Sequence, residues 1–323
     1  MTKIVISGWV PKQVTAPYAD KAEFVYPPDG QNEFTRKELL KEIVDADGCL
    51  LMDNEGDREL IDTAKNLRAI ANHGVGYDSI DWKYATEIGL PVINTPTQVT
   101  EATAEHTACL IFSVMRSIAH YDREVREGKW CSPNFSDINT QIEGSMLGIL
   151  GFGRIGKRVC RKAQGMGMKV VYYDKFRAPE EVEKEYDVTY MDFDDVIKTA
   201  DCISLHMPYF KENHHLFNLD KFRIMKPTAY FVNCARGKLV DEQALVTALK
   251  ENIIKGAGID VYENEPSVTP ELCTLDNVIL TPHIASLTMK ARVGMCYEAL
   301  DGIFGVLNGE KPRNVVNPEV LKF

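Results

Sequence analysis

The feature that most constrains this chain is an alternation of short β-branched segments with helical patterns, which continues through nearly all of its 323 residues. Such alternation is typical of parallel sheets that carry helices on both faces. It predicts an α/β fold. At roughly 150 residues per domain the length favours two domains, and we expect each to contain a doubly wound parallel sheet.

The strand segments fall into two series. The first series is predicted at residues 3–7, 23–26, 48–52, 67–72 and 91–94. The second series is predicted at residues 146–150, 169–173, 202–206, 229–233, 256–261 and 278–280. The first series predicts a small open sheet, and the second predicts a further doubly wound sheet. After them a last helix is predicted at about 287–308, which returns the chain to the first domain.

Two earlier helices are indicated by the residues at their ends. Thr35 and Glu38 have the spacing of a capping box, which predicts a helix that ends near residue 45. A long helix is predicted to begin at Thr100, as its N-cap, and to end at Gly128.

A glycine motif directly follows the first strand of the second series. Its glycines are Gly151, Gly153 and Gly156, with Arg154 and Ile155 between the last two. In such a motif the first glycine makes a tight turn, the second lets backbone N–H groups approach a pyrophosphate, and the third lets helix and strand pack closely. The dipole of the following helix favours the anion. This context predicts a dinucleotide site formed by these five residues.

An acidic residue, Asp174, ends the next strand, roughly 20 residues beyond the glycines. Its carboxylate can accept hydrogen bonds from ribose hydroxyls and would repel a 2′-phosphate, which favours NAD. Lys175 and Arg177 follow it, and an arginine here can hold a 2′-phosphate, so NADP stays open as the cofactor. His206, at the end of the third strand of this series, is a further predicted cofactor contact.

Three ionisable residues, Arg236, Glu265 and His283, lie beyond the predicted carboxyl ends of later strands. Taken singly, each is more often a solvated charge or a structural residue. Open α/β sheets bind ligands at this edge, however, and a guanidinium can both hold a carboxylate and polarise a ketone. A histidine paired with a carboxylate keeps its proton to higher pH and can protonate an alkoxide. The set has the groups that hydride transfer to a 2-oxo acid needs, but its spacing alone leaves the structural interpretation open.

The sequence resembles the D-isomer-specific 2-hydroxyacid dehydrogenase family over nearly its whole length. The matching stretches, in family order, are HGVGYDSID (73–81), TPTQVTEATAEHT (95–107), LGILGFGRIGKRV (147–159), NCARGKLVDEQAL (233–245), DVYENEP (260–266) and TPHIAS (281–286). The resemblance implies that the arginine, glutamate and histidine form a catalytic triad. It also implies that the N–H groups of Val75 and Gly76 bind the substrate carboxylate, and that Asp260 and the Cys234 carbonyl face the nicotinamide carboxamide.

The same resemblance implies a domain plan. A Rossmann nucleotide-binding domain would be inserted into a flavodoxin-like substrate domain. We place the substrate domain at residues 1–98 plus 288–323 and the NAD-binding domain at residues 99–287. The resemblance also implies a homodimer and, as substrate, a small 2-oxo acid or its D-2-hydroxy acid.

Composition and spacing limit the other function classes. The net charge of −10 disfavours nucleic acid and acidic membrane surfaces as partners. The longest apolar window, at 108–115, is far shorter than the about 20 residues that span a bilayer. We expect no metal site, because the neighbouring His214 and His215 have no helical i,i+4 partner and no nearby cysteine ligand. Dispersed cysteines and the lack of a secretory signal favour the cytoplasm.

The sequence therefore predicts an NAD-dependent D-2-hydroxyacid dehydrogenase. One alternative is an NADPH-preferring glyoxylate or hydroxypyruvate reductase. Another is a non-enzymatic NAD-sensing module, against which the complete set of arginine, glutamate and histidine argues.

Overall fold

The computed structural model describes residues 1–52, 54–130 and 139–322. The chain divides into two compact units. The first unit comprises Met1–Val99 and Leu287–Phe323, and the second unit comprises Thr100–Ser286. The second unit is thus one continuous segment that interrupts the sequence of the first.

The helices and strands alternate along the chain, as the sequence predicts. The strands are β1 (Thr2–Ile6), β2 (Ala22–Val25), β3 (Gly48–Leu51), β4 (Ala69–Asn72), β5 (Val92–Ile93), β6 (Met146–Leu150), β7 (Lys169–Tyr173), β8 (Thr189–Tyr190), β9 (Cys202–Leu205), β10 (Tyr230–Asn233), β11 (Gly256–Ile259) and β12 (Val278–Leu280). The helices are α1 (Arg36–Glu42), α2 (Arg58–Thr63), α3 (Trp82–Glu87), α4 (Val99–Met115), α5 (Ile118–Arg126), α6 (Arg154–Gly165), α7 (Glu180–Tyr186), α8 (Phe193–Thr199), α9 (Leu219–Arg223), α10 (Glu242–Lys250) and α11 (Met289–Leu307).

The first unit contains a five-stranded sheet in the order β2-β1-β3-β4-β5, with every neighbouring pair parallel. This is the flavodoxin-like doubly wound order. Successive side chains of a strand point to opposite faces, so Ile4 joins one core and Val5 the other. Helix α11 packs close to the first of these faces, where a Cβ added to Gly48 would lie 2.8 Å from Ile303.

The predicted capping box at the start of α1 is confirmed. The Thr35 hydroxyl accepts a hydrogen bond from the Glu38 N–H, and the Glu38 carboxylate accepts one from the Thr35 N–H at 2.9 Å. These two bonds satisfy donors that the first turn of a helix leaves without partners. The helix ends at Glu42, a turn earlier than the sequence predicts.

The second unit contains a seven-stranded parallel sheet in the order β12-β11-β10-β9-β6-β7-β8. This is a Rossmann sheet extended by one strand, and its order reverses between β6 and β9. Strands β6, β7 and β12 have the predicted bounds. The edge strand β8 was not predicted, because its two residues form no apolar run.

The prediction of one helix from Thr100 to Gly128 is wrong. Helix α4 already begins at Val99, so Thr100 lies inside it and is not its N-cap. The helix is interrupted at Ser117, whose backbone has a left-handed φ of 52°, and α5 follows. The packing of the helix against the core ends at the same point, since Met115 is buried whereas α5 has no buried residue.

Helices cover both faces of the second sheet. Leu147 and Ile149 of β6 pack with α4 and α6 in one core, and Leu150 belongs to the core on the other face. On that other face a Cβ added to Gly148 would lie 2.6 Å from Val196, which shows how closely α8 approaches β6. Within the described ranges, no helix combines the length and apolar character that a membrane crossing requires.

Candidate active site

The predicted cofactor and catalytic residues of the second unit lie at one edge of its sheet. Because the strands are parallel, their carboxyl ends meet at this edge. The residues that follow these ends are Gly151 after β6, Asp174 after β7, His206 after β9, Cys234 and Arg236 after β10, Asp260 and Glu265 after β11, and His283 after β12. Open α/β sheets bind ligands here, beside the point where the strand order reverses.

The glycine motif forms the turn between β6 and α6. Gly151 has a φ of +100°, and a Cβ there would lie 2.7 Å from the carbonyl group of His206. A Cβ on Gly156 would collide with the Gly151 carbonyl oxygen. Around Gly153, in contrast, no atom of the described residues other than Gly153 and its two chain neighbours lies within 4 Å of an added Cβ. Two glycines are therefore required by packing, and the third leaves open space beside the backbone.

This open space lies at the N-terminus of α6, where Gly153 is the N-cap. No side chain among the described residues caps the first N–H groups of this helix. Arg154 and the half-buried Ile155 occupy its first two positions. The uncapped donors and the positive end of the helix dipole fit a pyrophosphate.

Asp174 supports the glycine turn. One carboxylate oxygen accepts a hydrogen bond from the Phe152 N–H at 2.8 Å, and the other accepts one from the Phe176 N–H at 3.0 Å. A carboxylate has about four lone-pair positions, so two are left for a ribose diol.

Arg177, three residues after Asp174, is engaged by an acidic partner. Its guanidinium donates two hydrogen bonds to Glu183, at 2.8 and 2.9 Å. The Tyr172 hydroxyl donates a third to the same carboxylate at 2.7 Å. Arg177 and then Tyr172 lower the pKa of Glu183 to about 2, so this pair stays ionised at neutral pH.

His206 and Cys234 stay uncharged at neutral pH. Burial lowers the pKa of His206 to about 3, and its Nε2 lies 2.9 Å from the Ser204 hydroxyl. Burial also raises the pKa of the Cys234 thiol to about 12, which excludes a thiolate nucleophile there. Both residues can contact a ligand as neutral groups.

His283 and Glu265 form a direct pair. The Nδ1 of His283 donates to Glu265 at 2.8 Å, and the other Glu265 oxygen accepts from the Tyr262 N–H at 2.9 Å. The bond to Glu265 raises the pKa of His283, although burial acts in the opposite direction. Burial would raise the pKa of Glu265, but the hydrogen bond and charge of His283 outweigh it, and this pKa is lowered. The pair therefore favours an imidazolium beside a carboxylate.

Arg236 lies within electrostatic reach of this pair. Its positive charge contributes to lowering the pKa values of both Glu265 and His283. The turn that carries it is shaped by the buried Asn233, whose side chain donates to the Arg236 carbonyl at 3.0 Å and accepts from the Ala235 N–H at 2.9 Å. The structure thus brings the three predicted catalytic residues together.

Asp260 holds the loop that carries His283. Its fully buried carboxylate accepts hydrogen bonds from the Thr281 hydroxyl at 2.6 Å, the Ile284 N–H at 2.9 Å and the Ala285 N–H at 3.0 Å. The His283 N–H also donates to the Asp260 carbonyl at 2.8 Å. These bonds retain His283 at a left-handed φ of 52°, an uncommon conformation that occurs more often at functional sites.

His106 extends this support from α4. Its Nε2 lies 3.1 Å from the Thr281 hydroxyl and 3.4 Å from the Asp260 carboxylate. Sequence reasoning assigned no role to His106, Thr281 or Asn233. They stand inside the stretches TAEHT, TPH and NCARG, so their position within family motifs was the available signal.

In the first unit, Val75 and Gly76 form a turn after β4. The turn carbonyls are already engaged: Thr95 donates its N–H to Gly74 at 2.9 Å, Asn94 donates its side-chain amide to Val75 at 2.8 Å, and the Asn72 side chain donates to Gly76. The N–H groups of Val75 and Gly76 have no acceptor in the described part of the chain. A turn whose carbonyls are already hydrogen-bonded, and whose N–H groups point to no acceptor among the described residues, is suited to bind an anion.

Comparisons with known proteins agree with this geometry. The sequence model "D-isomer specific 2-hydroxyacid dehydrogenase, NAD binding domain" matches residues 108–285. The chain is 41% identical over 299 residues to a glyoxylate reductase of Thermococcus onnurineus, covering 91% of this chain and 89% of that protein.

Two solved structures are similar over nearly the whole chain. The NADPH-dependent glyoxylate/hydroxypyruvate reductase of Sinorhizobium meliloti, in complex with citrate, gives a TM-score of 0.84 at 27% identity and covers 98% of each chain. The D-lactate dehydrogenase of Aquifex aeolicus, with NAD and lactic acid, gives a TM-score of 0.81 at 28% identity and covers 98% of this chain and 99% of that chain.

Proposed function

The chain belongs to the D-isomer specific 2-hydroxyacid dehydrogenase family, and from this premise we propose that it reduces glyoxylate and similar small 2-oxo acids with a nicotinamide cofactor. The observation that carries the proposal is the His283–Glu265 pair, with 2.8 Å between Nδ1 and the carboxylate, within electrostatic reach of Arg236. An acid with a raised pKa and a cation are the two groups that this reduction requires of the protein.

Each side chain has a distinct role in the proposed reaction. Arg236 binds the substrate carboxylate and polarises the oxygen of the 2-oxo group. His283 gives a proton to that oxygen while the carbonyl carbon gains a hydride, and Glu265 stabilises the imidazolium before transfer. The bound nicotinamide supplies the hydride. In the oxidative direction neutral His283 takes the hydroxyl proton.

The open N–H groups of Val75 and Gly76 are proposed as further donors to the substrate carboxylate. Backbone donors stabilise an anion without the entropy cost of ordering a long side chain. Asp260 and the Cys234 carbonyl are proposed to face the nicotinamide carboxamide. We likewise propose the substrate domain at 1–98 plus 288–323 and the NAD-binding domain at 99–287.

We infer a preference for NADH over NADPH. Asp174 keeps two lone-pair positions for a ribose diol and adds a negative charge that opposes a 2′-phosphate. Arg177, which could offset that charge, is engaged by Glu183. NADPH use would therefore require new partners for the phosphate.

Two substitutions test this preference. Asp174→Ala removes the opposing charge, and Glu183→Gln weakens the hold on Arg177, so each is expected to raise kcat/KM for NADPH relative to NADH. The matched control is Glu185→Gln, which changes a neighbouring exposed acid that pairs with Arg161. Unchanged discrimination in both variants would contradict the assignment of Asp174 to the ribose.

The function is tested by measuring turnover of NADH and NADPH separately with glyoxylate, pyruvate, hydroxypyruvate and branched 2-oxo acids. We expect turnover with glyoxylate, fastest with NADH. Faster turnover with NADPH would favour the NADPH-dependent reductase. Cofactor binding without turnover of any of these acids would overturn the enzymatic proposal and favour a sensor.

The homodimer is also proposed, and light scattering coupled to size-exclusion chromatography tests it by giving the mass in solution. The cytoplasmic location stays a prediction.

A further inference from the structure

A second cluster of ligating side chains lies outside the residues assigned to catalysis. His214, His215 and Glu263 each offer a ligand atom, and these atoms all lie within 4.8 Å of one another. The sequence predicted no metal site for the two histidines, because they have no helical i,i+4 partner and no nearby cysteine ligand. The fold supplies one, since it brings Glu263, from the loop after β11, to the pair.

The backbone places both imidazoles on one side of the chain. Neighbouring residues in an extended segment point in opposite directions. His215 instead has a left-handed φ of 52°, and the two rings stack with centroids 3.9 Å apart and an interplanar angle of 24°. A left-handed non-glycine residue is uncommon and occurs more often at functional sites.

The segment of the two histidines is fixed by neighbouring backbone. The His215 N–H donates to the Lys238 carbonyl at 3.0 Å, and the Phe217 N–H donates to the Leu239 carbonyl at 2.9 Å. The two imidazoles are therefore attached to a turn whose backbone is held by its neighbours.

The third ligand is fixed as well. The Glu263 N–H donates to the buried Glu242 carboxylate at 2.5 Å. The Glu263 side chain accepts from the Nε2 of His215 at 2.7 Å, and both side chains are partly exposed, at 22% and 34%. An ion in solution can thus reach a set of ligands that is largely arranged before binding.

We propose that His214, His215 and Glu263 form a binding site for Zn²⁺. Zinc readily takes imidazole nitrogens and carboxylate oxygens as ligands. Three protein ligands suffice, because a water molecule can occupy the fourth position of the tetrahedron. Ligand atoms about 2.0–2.1 Å from the metal lie about 3.3 Å from one another in a tetrahedron. On zinc binding, the 2.7 Å distance between His215 Nε2 and the Glu263 carboxylate oxygen has to lengthen slightly. The longer distances between ligand atoms, which reach up to 4.8 Å, have to shorten. The net charge of −10 favours the approach of a cation.

The test is a zinc titration of the full chain without a histidine tag, in competition with a chromophoric chelator. We expect one Zn²⁺ to bind per chain at this site. His214→Ala and Glu263→Gln should each weaken that binding by at least about 10-fold, since losing even an outer-shell partner of a metal typically costs about 10-fold to 100-fold in affinity.

Two controls separate this site from other histidine–carboxylate pairs. His120→Ala removes a histidine 4.0 Å from Glu124, and His283→Ala removes the catalytic pair. Both variants should keep wild-type zinc affinity. If His214→Ala alters folding by circular dichroism, His214→Asn replaces it in the titration.

The variant series decides between zinc binding and a structural ion pair. Unchanged affinity in the His214 variant would overturn the proposal, because a His215–Glu263 ion pair needs no second imidazole. Loss of the tight site in His283→Ala would also overturn it, by assigning the metal to the active site.

Discussion

The two units place different chemistry at the carboxyl ends of their sheets. The first unit presents the N–H groups of Val75 and Gly76, which have no acceptor among the described residues, in a turn whose carbonyls already accept hydrogen bonds. The second unit presents the side chains of Arg236, Glu265 and His283; Glu265 and His283 shift each other's pKa, and the charge of Arg236 acts to lower both pKa values. The carboxyl edge of the sheet thus presents backbone N–H dipoles of fixed charge in the first unit and side chains that can gain or lose a proton in the second unit.

This difference predicts which kinetic constants each unit controls. A backbone N–H has one charge state at every pH, and no side-chain substitution short of proline removes it. An imidazole changes its charge near neutrality and depends on its partner. We therefore expect changes in the second unit to alter turnover and its pH dependence, and changes in the first unit to alter substrate affinity.

The largest expected effect is the loss of the acid in the second unit. His283→Ala should lower kcat by about 100-fold to 10,000-fold, the usual range for general acid catalysis, because the proposed reaction takes its proton from His283. The dissociation constant of NADH, measured by its fluorescence, should change little. His120→Ala is the matched control, since His120 lies beside the amino ends of β11 and β12. A near-normal kcat in His283→Ala would contradict the assignment of the acid to the second unit, and with it the contrast between the two units.

The intermediate effect is a shift in pH dependence. Glu265 raises the pKa of His283, while burial and Arg236 act to lower it. Glu265→Gln removes the raising charge and leaves the lowering causes, so the pKa of His283 should fall. The reduction needs protonated His283, and its rate falls as the pH rises through that pKa. The descending limb of kcat/KM for reduction should therefore move to lower pH, with roughly a 10-fold loss on that limb for each pKa unit.

A control distinguishes this shift from structural damage. Glu263→Gln changes an acid two residues away that contacts His215, and it should keep the wild-type pH profile without added zinc. A Glu265→Gln enzyme with an unshifted descending limb would show that Glu265 does not set the proton affinity of His283.

The sequence predicted the sheets better than the details that position the site. Apolar periodicity and the glycine motif located β6, α6 and the residues after each strand, because these signals are local. The break at Ser117 has no local signal, since its cause is the end of buried support beyond Met115. His106 acts on Thr281 across 175 residues of sequence, a contact that only the fold defines.

The features of the site also divide into those that local sequence predicts and those that depend on long-range contacts. The triad was predicted because each member follows a strand and stands in a family motif. The left-handed backbone of His283, and the hydrogen bonds that Asp260 accepts from the following residues of its loop, were not predicted, because they depend on a residue that follows another strand. Residue types thus indicate the chemistry, and long-range hydrogen bonds supply its geometry.

The smallest expected effect sharpens the comparison in the first unit. Asn94 donates a side-chain hydrogen bond to the Val75 carbonyl at 2.8 Å, and this bond helps to aim the Val75 and Gly76 donors. Asn94→Ala removes one hydrogen bond, which is typically worth about 0.5–1.5 kcal/mol, or roughly 2-fold to 10-fold in affinity. KM for glyoxylate should rise by that factor, while the pH profile and the NADH dissociation constant stay unchanged. Val75→Ala, which keeps the backbone donor, should leave KM within about 2-fold of wild type. An unchanged KM in Asn94→Ala, or a larger effect from Val75→Ala than from Asn94→Ala, would mean that the carboxylate is bound by groups other than this turn.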